Sequence, residues 1–297
     1  MLVSGLAAVA GALTLRPAPA PQPASTGVDA TPSAGLLALA AGEPGVPFEF
    51  AADGGPAPKL LASMLRMQSA RALRQGGDDA GAFALLEEDL AAARAGSDVQ
   101  ALAMAMRNHA NLQQDEGACD AAREQFLRAV ALLEPTGDQQ LLALLANDLG
   151  MLGHECGVLD PRPWFKVALE LRWNNRDLQA SRKSANNLAT AYTVFGDFEE
   201  ADQAYNEALI SATLLNDRAA IVRIRGNQGY MWAVASAKEV DAGERVFDMG
   251  SPEWAKSREA VLAGMGVAED AGIDPAVVCN YWGHPRNVER CQQLLPR

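Results

Sequence analysis

Four asparagines recur along this 297-residue chain at nearly constant spacing, which constrains the fold more than any other feature. They are Asn108, Asn147, Asn187 and Asn227, at intervals of 39, 40 and 40 residues, and Gln68 extends the series backwards by another 40. Each lies in a helical segment that is followed by a turn and a second helical segment. A period of this length is typical of helical hairpins that stack because no single hairpin can bury its apolar face alone. The chain is therefore predicted to form an all-α repeat array.

The clearest repeat covers residues 184–212, where a turn separates two apolar stripes at helical spacing. The stripes are Leu188, Ala189 and Tyr192, then Ala201, Tyr205, Ala208 and Leu209. The turn between them is Gly196-Asp197. Glycine accepts the positive φ that ends a helix, and Asp197 is predicted to cap the helix that follows.

This pattern resembles the tetratricopeptide repeat (TPR), with its small residue and aromatic residue on the first helix, its Gly-Asp-aromatic turn and its Ala-aromatic-Ala second helix. Other repeats match less closely, with turn glycines at Gly77, Gly117 and Gly157. The last repeat keeps Gly229, and its second helix is predicted as a degenerate one over about 239–249. The resemblance covers about residues 60–250. It implies a right-handed superhelical solenoid of about five helix-turn-helix repeats, in which the first (A) helices line a concave groove and the second (B) helices form the outer surface.

The two ends of the chain have different compositions from this array. Residues 1–15 are largely apolar and are predicted to be a signal peptide or the remnant of a membrane anchor. The alternative is an apolar tail with no targeting function in a cytoplasmic protein. Residues 16–58 are rich in Pro, Ala and Gly and are predicted to be a linker. The repeat array is assigned to 59–250 and C-terminal capping helices to 251–297.

Two helix-start signals mark this C-terminal segment. Ser251-Pro252-Glu253 supplies a capping residue, a first-turn proline and an acid. Asp274-Pro275 likewise places a capping residue before a first-turn proline. These helices are expected to cover the last apolar face of the array. The covering side chains would be Trp254, Val261, Val278 and Trp282.

Four cysteines suggest two local disulfides. Cys119 and Cys156 fall near the A-to-B turns of adjacent repeats, and Cys279 and Cys291 are 12 residues apart. An even count in an exported chain favours pairing, whereas four free thiols are the alternative. Cys279, His284 and Cys291 have zinc-ligand side chains at an unusual spacing, so a zinc site is the minor hypothesis. An exported or membrane-anchored location is favoured over a cytoplasmic one.

The net charge of −12 disfavours nucleic-acid partners. Basic and acidic residues are segregated between the two kinds of helix. The A-type segments carry the basic residues Lys59, Arg66, Arg71, Arg74, Arg107, Arg182, Lys183, Arg218, Arg223 and Arg225. The B-type segments carry the acidic residues, among them Asp78, Asp79, Glu87, Glu88, Asp89, Asp120, Glu124, Asp197, Glu199, Glu200, Asp202 and Glu207. The acid run 87–89 is predicted to be a solvated face. A basic groove would attract an acidic or carboxylate-bearing peptide.

Basic and amide residues recur at positions that resemble the carboxylate clamp of peptide-binding TPR domains. The resemblance implies peptide contacts, since an amide both donates to and accepts from an extended backbone. The family's second basic residue in the third clamp repeat is replaced by Asn187, and the alternative role for each asparagine is to bridge repeats. The predicted contact set is Arg107, Asn108, Asn111, Asn147, Lys183, Asn187, Arg223 and Asn227.

Catalytic motifs are not found in the sequence. The chain has no phosphate-binding glycine loop, no Gly-x-Ser-x-Gly and no His-Glu-x-x-His. His154 precedes Cys156 by two residues but is expected to be a turn residue, and His109 is expected to be a core residue. No catalytic residue, cofactor or metal ligand is assigned. The favoured function is a non-catalytic scaffold that binds a protein or peptide. The alternatives are the sensor region of a membrane-tethered signalling protein, such as a kinase, and, less favoured, a helical enzyme or metal protein.

Overall fold

The computed structural model describes residues 31–40, 58–241, 244–283 and 285–294. Within this part the chain divides into two compact units, which meet in sequence between Leu215 and Asn216. The predicted signal or anchor segment 1–15 lies outside the described residues. Among the residues described, no helix combines the length and the apolar character that crossing a bilayer requires.

The described residues of the first unit form one short helix, α1 (Ala34–Ala40), and four helical hairpins. The hairpin helices are α2 (Pro58–Gln75), α3 (Asp79–Ala95), α4 (Val99–Asp115), α5 (Cys119–Leu133), α6 (Gln139–Cys156), α7 (Pro161–Asn174), α8 (Leu178–Phe195) and α9 (Phe198–Leu214), with a 3-10 turn at Glu134–Thr136 after α5. Each of these hairpin helices packs against the next one in sequence. Even-numbered members are the A helices and odd-numbered members the B helices, so the prediction of an all-α repeat solenoid is confirmed.

The A-to-B turns are built around glycine, as the sequence predicts. Gly77, Gly117, Gly157 and Gly196 have φ values of 85°, 80°, 69° and 84°, in the left-handed region that costs glycine little. A different close approach occurs at Gly150, where a Cβ atom would lie 2.5 Å from the ring of Phe165. The absence of a side chain there allows α6 and α7 to pack closely.

Aspartate marks the start of every A helix from α4 to the second unit. Each carboxylate accepts a hydrogen bond from the backbone N–H three residues on, which is N-capping geometry. These residues are Asp98, Asp138, Asp177 and Asp217. The series repeats with the same period as the asparagines and would locate the helix starts from sequence. Asp197 occupies the N-cap position of α9 as predicted, but its side chain makes no capping hydrogen bond, because it accepts from Arg162 Nη1 at 2.5 Å instead.

The second unit begins with an A-type helix, α10 (Arg218–Ala235), which packs along α11 (Pro252–Asp270). A 3-10 segment (Pro275–Trp282) and α12 (Pro285–Gln292) complete it. Ser251 Oγ accepts from Trp254 N at 3.1 Å and Asp274 Oδ1 from Ala276 N at 2.9 Å, which confirms both predicted caps. The predicted covering residues are all buried with α10 side chains in one core; they are Trp254, Val261, Val278 and Trp282.

The degenerate helix predicted over 239–249 is wrong. The chain forms an antiparallel hairpin there, with strands β1 (Ala237–Asp241) and β2 (Glu244–Phe247). Valines at positions 240 and 246 favour extended backbone. Phe247 anchors the hairpin, since its ring lies 5.7 Å from that of Trp254 and 6.1 Å from that of Trp282.

Helix α1 also differs from the sequence prediction, which assigns its residues to a linker. Leu36 is fully buried in the core of the first unit, and α1 contacts α7. Burial of one leucine is a tertiary contact that local composition does not reveal.

Candidate peptide-binding face

The repeat register shows that one asparagine of the series is displaced. Asn108 lies nine residues before the positive-φ Gly117, whereas Asn147 lies ten residues before the positive-φ Gly157. Asp148 therefore occupies the series position in the repeat of α6 and α7. Counting from the turn glycine, rather than from one asparagine to the next, would have revealed this acid in the sequence.

Asp148 engages two of the predicted clamp residues. Its Oδ2 atom accepts from Arg107 Nε at 2.5 Å and from Asn111 Nδ2 at 3.4 Å. The side chains of Arg107 and Asp148 are only 18% and 11% exposed. A carboxylate of the chain itself therefore occupies this half of the clamp, where the sequence predicts that Arg107 and Asn111 face a ligand.

Asn108 is also not a ligand contact. It is 1% exposed, and its Nδ2 group donates to the backbone oxygen of Ser63 at 3.0 Å and to Ser63 Oγ at 3.2 Å. This amide ties α4 to α2 within the first unit. The alternative of an asparagine that bridges repeats is the one that the structure shows here.

Asn147 and Asn187 come together between α6 and α8. Asn187 Nδ2 lies 3.5 Å from Asn147 Oδ1 and 3.8 Å from Met151 Sδ. Both amides are half-buried. Lys183 is exposed and lies one helical turn before Asn187, on the same side of α8. We call this set, Asn147, Met151, Lys183 and Asn187, the amide face.

The orientation of Asn147 is fixed by Arg172, a B-helix residue that the sequence analysis missed. Arg172 is 8% exposed, and its Nη1 atom lies 3.3 Å from both Asn147 Oδ1 and the carbonyl oxygen of Ala180. It also donates to Ser184 Oγ. Burial lowers the pKa of Arg172, while the nearby Asp148 acts in the opposite direction. No sequence pattern points to a buried arginine at this position.

The last two predicted contacts, Arg223 and Asn227, lie on α10 in the second unit and are half-buried. They are therefore not part of the amide face. The predicted site is thus divided: the structure brings together Asn147, Lys183 and Asn187, commits Arg107 and Asn111 to Asp148, and places Asn108 in the core.

Other arginines of the predicted basic groove are paired as well. Arg74 forms ion pairs with Asp79 and Asp115, and Arg66 with Asp89. Asp89 is 2% exposed and accepts from Ser63 Oγ at 2.5 Å. The prediction of a solvated acid run is therefore wrong at Asp89 and right for its exposed neighbours 87 and 88.

Ser63, Arg66 and Asp89 line a cavity of about 250 Å³, whose other lining residues are mostly alanine. The polar cluster at its wall is internally paired, with both Ser63 and Arg66 donating to Asp89. These polar side chains are therefore not free to bind a ligand in the cavity.

The histidines and cysteines have structural environments. His109 is 6% exposed, its Nδ1 atom accepts from Gln125 Nε2 at 3.1 Å, and burial lowers its pKa. Cys119 is bonded to Cys156, with Cα atoms 6.1 Å apart, and Cys279 to Cys291, with Cα atoms 5.4 Å apart.

These disulfides leave no thiolate for the alternatives that the sequence raised. Cys156 has no free sulfur to pair with His154, and Cys279 and Cys291 have none to bind zinc. His284 lies outside the described residues. Among the residues that the structure describes, no group of three or more His, Cys, Asp or Glu side chains is placed to hold a metal ion.

Solved structures with the same fold carry TPR-like repeats. A crystal structure of nearly identical TPR-like repeats from Podosopora anserina, named as a kinesin light chain, aligns with a TM-score of 0.52 at 18% identity, and a single-substitution variant of it at 0.53 and 16%. Each alignment covers 73% of this chain and 99% of the other. The chain therefore has the fold of a TPR-like repeat array.

At these identities the likeness between the TPR arrays concerns the fold alone. BtubC from P. vanneervenii also aligns, with a TM-score of 0.41 at 18% identity over 80% of this chain and 94% of that one. No protein-family model matches the sequence, and no curated protein matches it.

Proposed function

We propose that this TPR-type protein is a non-catalytic interaction scaffold whose amide face binds an extended segment of a partner protein. The fold supports the general role, because stacked helical hairpins present long surfaces for protein partners. The amide face supports the specific one. Arg107 and Asn111 are excluded from the contact set, because Asp148 already holds them.

The observation that carries the proposal is the complementary orientation of Asn147 and Asn187. Asn147 Oδ1 accepts from Arg172, which leaves its Nδ2 group as a donor toward a ligand. Asn187 Nδ2 points toward Asn147 and Met151, which leaves its Oδ1 atom as an acceptor. One donor and one acceptor side by side match the C=O and N–H groups of an extended peptide.

Lys183 gives this face its charge preference. Its ammonium group is exposed one turn from Asn187, and it forms no ion pair with a described residue. A carboxylate on the bound segment would pair with this cation, in agreement with the acidic-peptide preference that the sequence suggests. The nucleic-acid backbone is disfavoured as a partner by the net charge of −12.

The proposal is tested with a library of random 12-residue peptides displayed on phage and selected on the full chain. The double variant Asn147→Ala with Lys183→Ala removes one donor and one cation. An amide hydrogen bond and an exposed ion pair together contribute about 1–2 kcal/mol, so the selected peptides should bind roughly tenfold more weakly. Fluorescence anisotropy measures the affinity, and circular dichroism verifies that helix content is retained.

The matched control is Lys166→Ala, which removes a lysine that is 62% exposed on the B helix α7. This variant should bind the selected peptides as the wild type does. Equal affinity of the double variant and the wild type would exclude the amide face as the binding surface.

We also propose that the chain functions in an oxidising compartment. Two disulfides are the supporting feature, since such bonds persist in exported proteins and are rare in the cytoplasm. Protein isolated from its native host in N-ethylmaleimide, without reductant, should carry no maleimide adducts by intact mass. Four adducts would place the chain in a reducing compartment.

A further inference from the structure

Two apolar residues at the start of the docked helix α1, four positions apart, are buried. Pro32 and Leu36 are buried, whereas the intervening residues 33–35 and the next residue, Leu37, are exposed. Ser33 begins the helix, with its Oγ atom accepting from Leu36 N at 3.0 Å. The receiving surface, which we call the α1 seat, is the side of α7 that α1 contacts, with Glu134 next to Gly35.

Helix α1 has the properties of a bound peptide rather than those of a repeat. It has seven residues, and isolated helices shorter than about 12 residues are unstable in water. Its helical form therefore depends on docking. Residues 41–57 separate it from α2, while its contacts are with α7, more than 100 residues further along the chain. A short amphipathic helix inserted in an apolar surface is a recurring mode of peptide recognition.

We propose that the α1 seat is a second peptide-binding site, distinct from the amide face, and that residues 31–40 are its resident and displaceable ligand. The seat takes a short helical segment with proline and leucine four residues apart. It contacts a B helix, whereas the amide face is formed by the A helices α6 and α8, so the two sites can be tested separately.

Tethering explains how a weak contact keeps the seat filled. A segment tethered to its site within one chain has an effective concentration on the order of 1 mM. Occupancy above nine-tenths then requires an intrinsic Kd of about 0.1 mM or tighter. A free peptide must compete with this tethered copy, so the wild-type chain should bind it roughly tenfold more weakly than an emptied seat does.

The experiment uses the full chain and a fluorescein-labelled peptide of residues 31–41. Leu36→Asp in the chain places a charge at the buried anchor and empties the seat. This variant should bind the peptide with a Kd of about 0.1 mM by anisotropy, and the wild type at least tenfold more weakly. Leu37→Asp, which changes the 47%-exposed neighbour, is the matched control and should behave as the wild type. A peptide with Leu36→Asp should bind neither chain.

Three results would overturn the proposal. The first is a folded Leu36→Asp chain that binds the peptide no better than the wild type does. The second is a loss of helix content well beyond the seven residues of α1 in both the Leu36→Asp and the milder Leu36→Ala chain, which would make Leu36 a fixed part of the core. The third is loss of peptide binding when Asn147→Ala and Lys183→Ala are added to the Leu36→Asp chain, which would assign the binding to the amide face instead.

Discussion

Asp148→Asn is expected to change both the stability of the protein and its peptide binding. It restores the series asparagine in the displaced repeat and removes the carboxylate that Arg107 and Asn111 hold. The amide that replaces the carboxylate has nearly the same shape. The change therefore removes a charge with little effect on packing.

The cost in stability follows from the exposure of the pair. Arg107 and Asp148 are 18% and 11% exposed, between the surface pairs that contribute about 0–1 kcal/mol and the buried pairs whose disruption costs about 3–5 kcal/mol. We expect the free energy of unfolding to fall by about 2 kcal/mol, measured by urea denaturation with circular dichroism. The control is Glu124→Gln, in an exposed ion pair with Arg128, which should change it by less than about 0.5 kcal/mol.

The same substitution should create a carboxylate site. With Asp148 neutral, the Arg107 guanidinium becomes available to an external carboxylate, and peptides with a free C-terminus should bind more tightly than their amidated copies. The wild type should bind both forms with similar affinity at this position. Unchanged stability together with unchanged preference between the two peptides would refute the assignment of Arg107 to Asp148.

Three further predictions concern the fold. The double variant Cys119→Ser, Cys156→Ser removes a disulfide between residues 37 positions apart. Loop-closure entropy predicts that its free energy of unfolding, measured by urea denaturation, is lower by about 4 kcal/mol. A decrease below about 1 kcal/mol would contradict this prediction. Gly196→Ala should lower the free energy of unfolding by about 1–2 kcal/mol, because φ is 84° there and no neighbouring atom is close enough to clash. Gly266→Ala, at an exposed position inside α11, should raise it by about 1 kcal/mol. Equal effects of the two substitutions would refute the argument from backbone conformation. Burial lowers the pKa of His109, so the unfolded chain binds more protons than the folded one. The free energy of unfolding should therefore fall as the pH drops below about 6.5. His109→Gln should weaken this pH dependence, and an unchanged dependence would exclude His109 as its source.

The repeat architecture could be predicted from sequence because its signals are local. Turn glycines such as Gly117 and Gly196 need a left-handed backbone whatever their tertiary surroundings. The hydrophobic stripes repeat with the helix period, and the start signals at Ser251 and Asp274 act within a few residues. Each of these features is set by neighbours in the chain, so a sequence displays it.

The details of the binding surface could not be predicted because they depend on contacts between repeats. Asp148 meets Arg107 across 41 positions, and Arg172 reaches Asn147 from a B helix across 25. The β-hairpin near Phe247 and the docking of Leu36 are likewise decided by distant partners. A count of basic residues on A helices reports charge, but it does not show which charges are already paired.

Binding of an extended peptide at the amide face can be followed through the side-chain amide signals of Asn147 and Asn187 in a ¹⁵N-labelled chain. On titration with a phage-selected peptide, both Nδ2 resonances should shift together along one saturation curve. The buried Asn108, bonded to Ser63, should not move. Shifts confined to other asparagines, with Asn147 and Asn187 unchanged at saturation, would contradict the account.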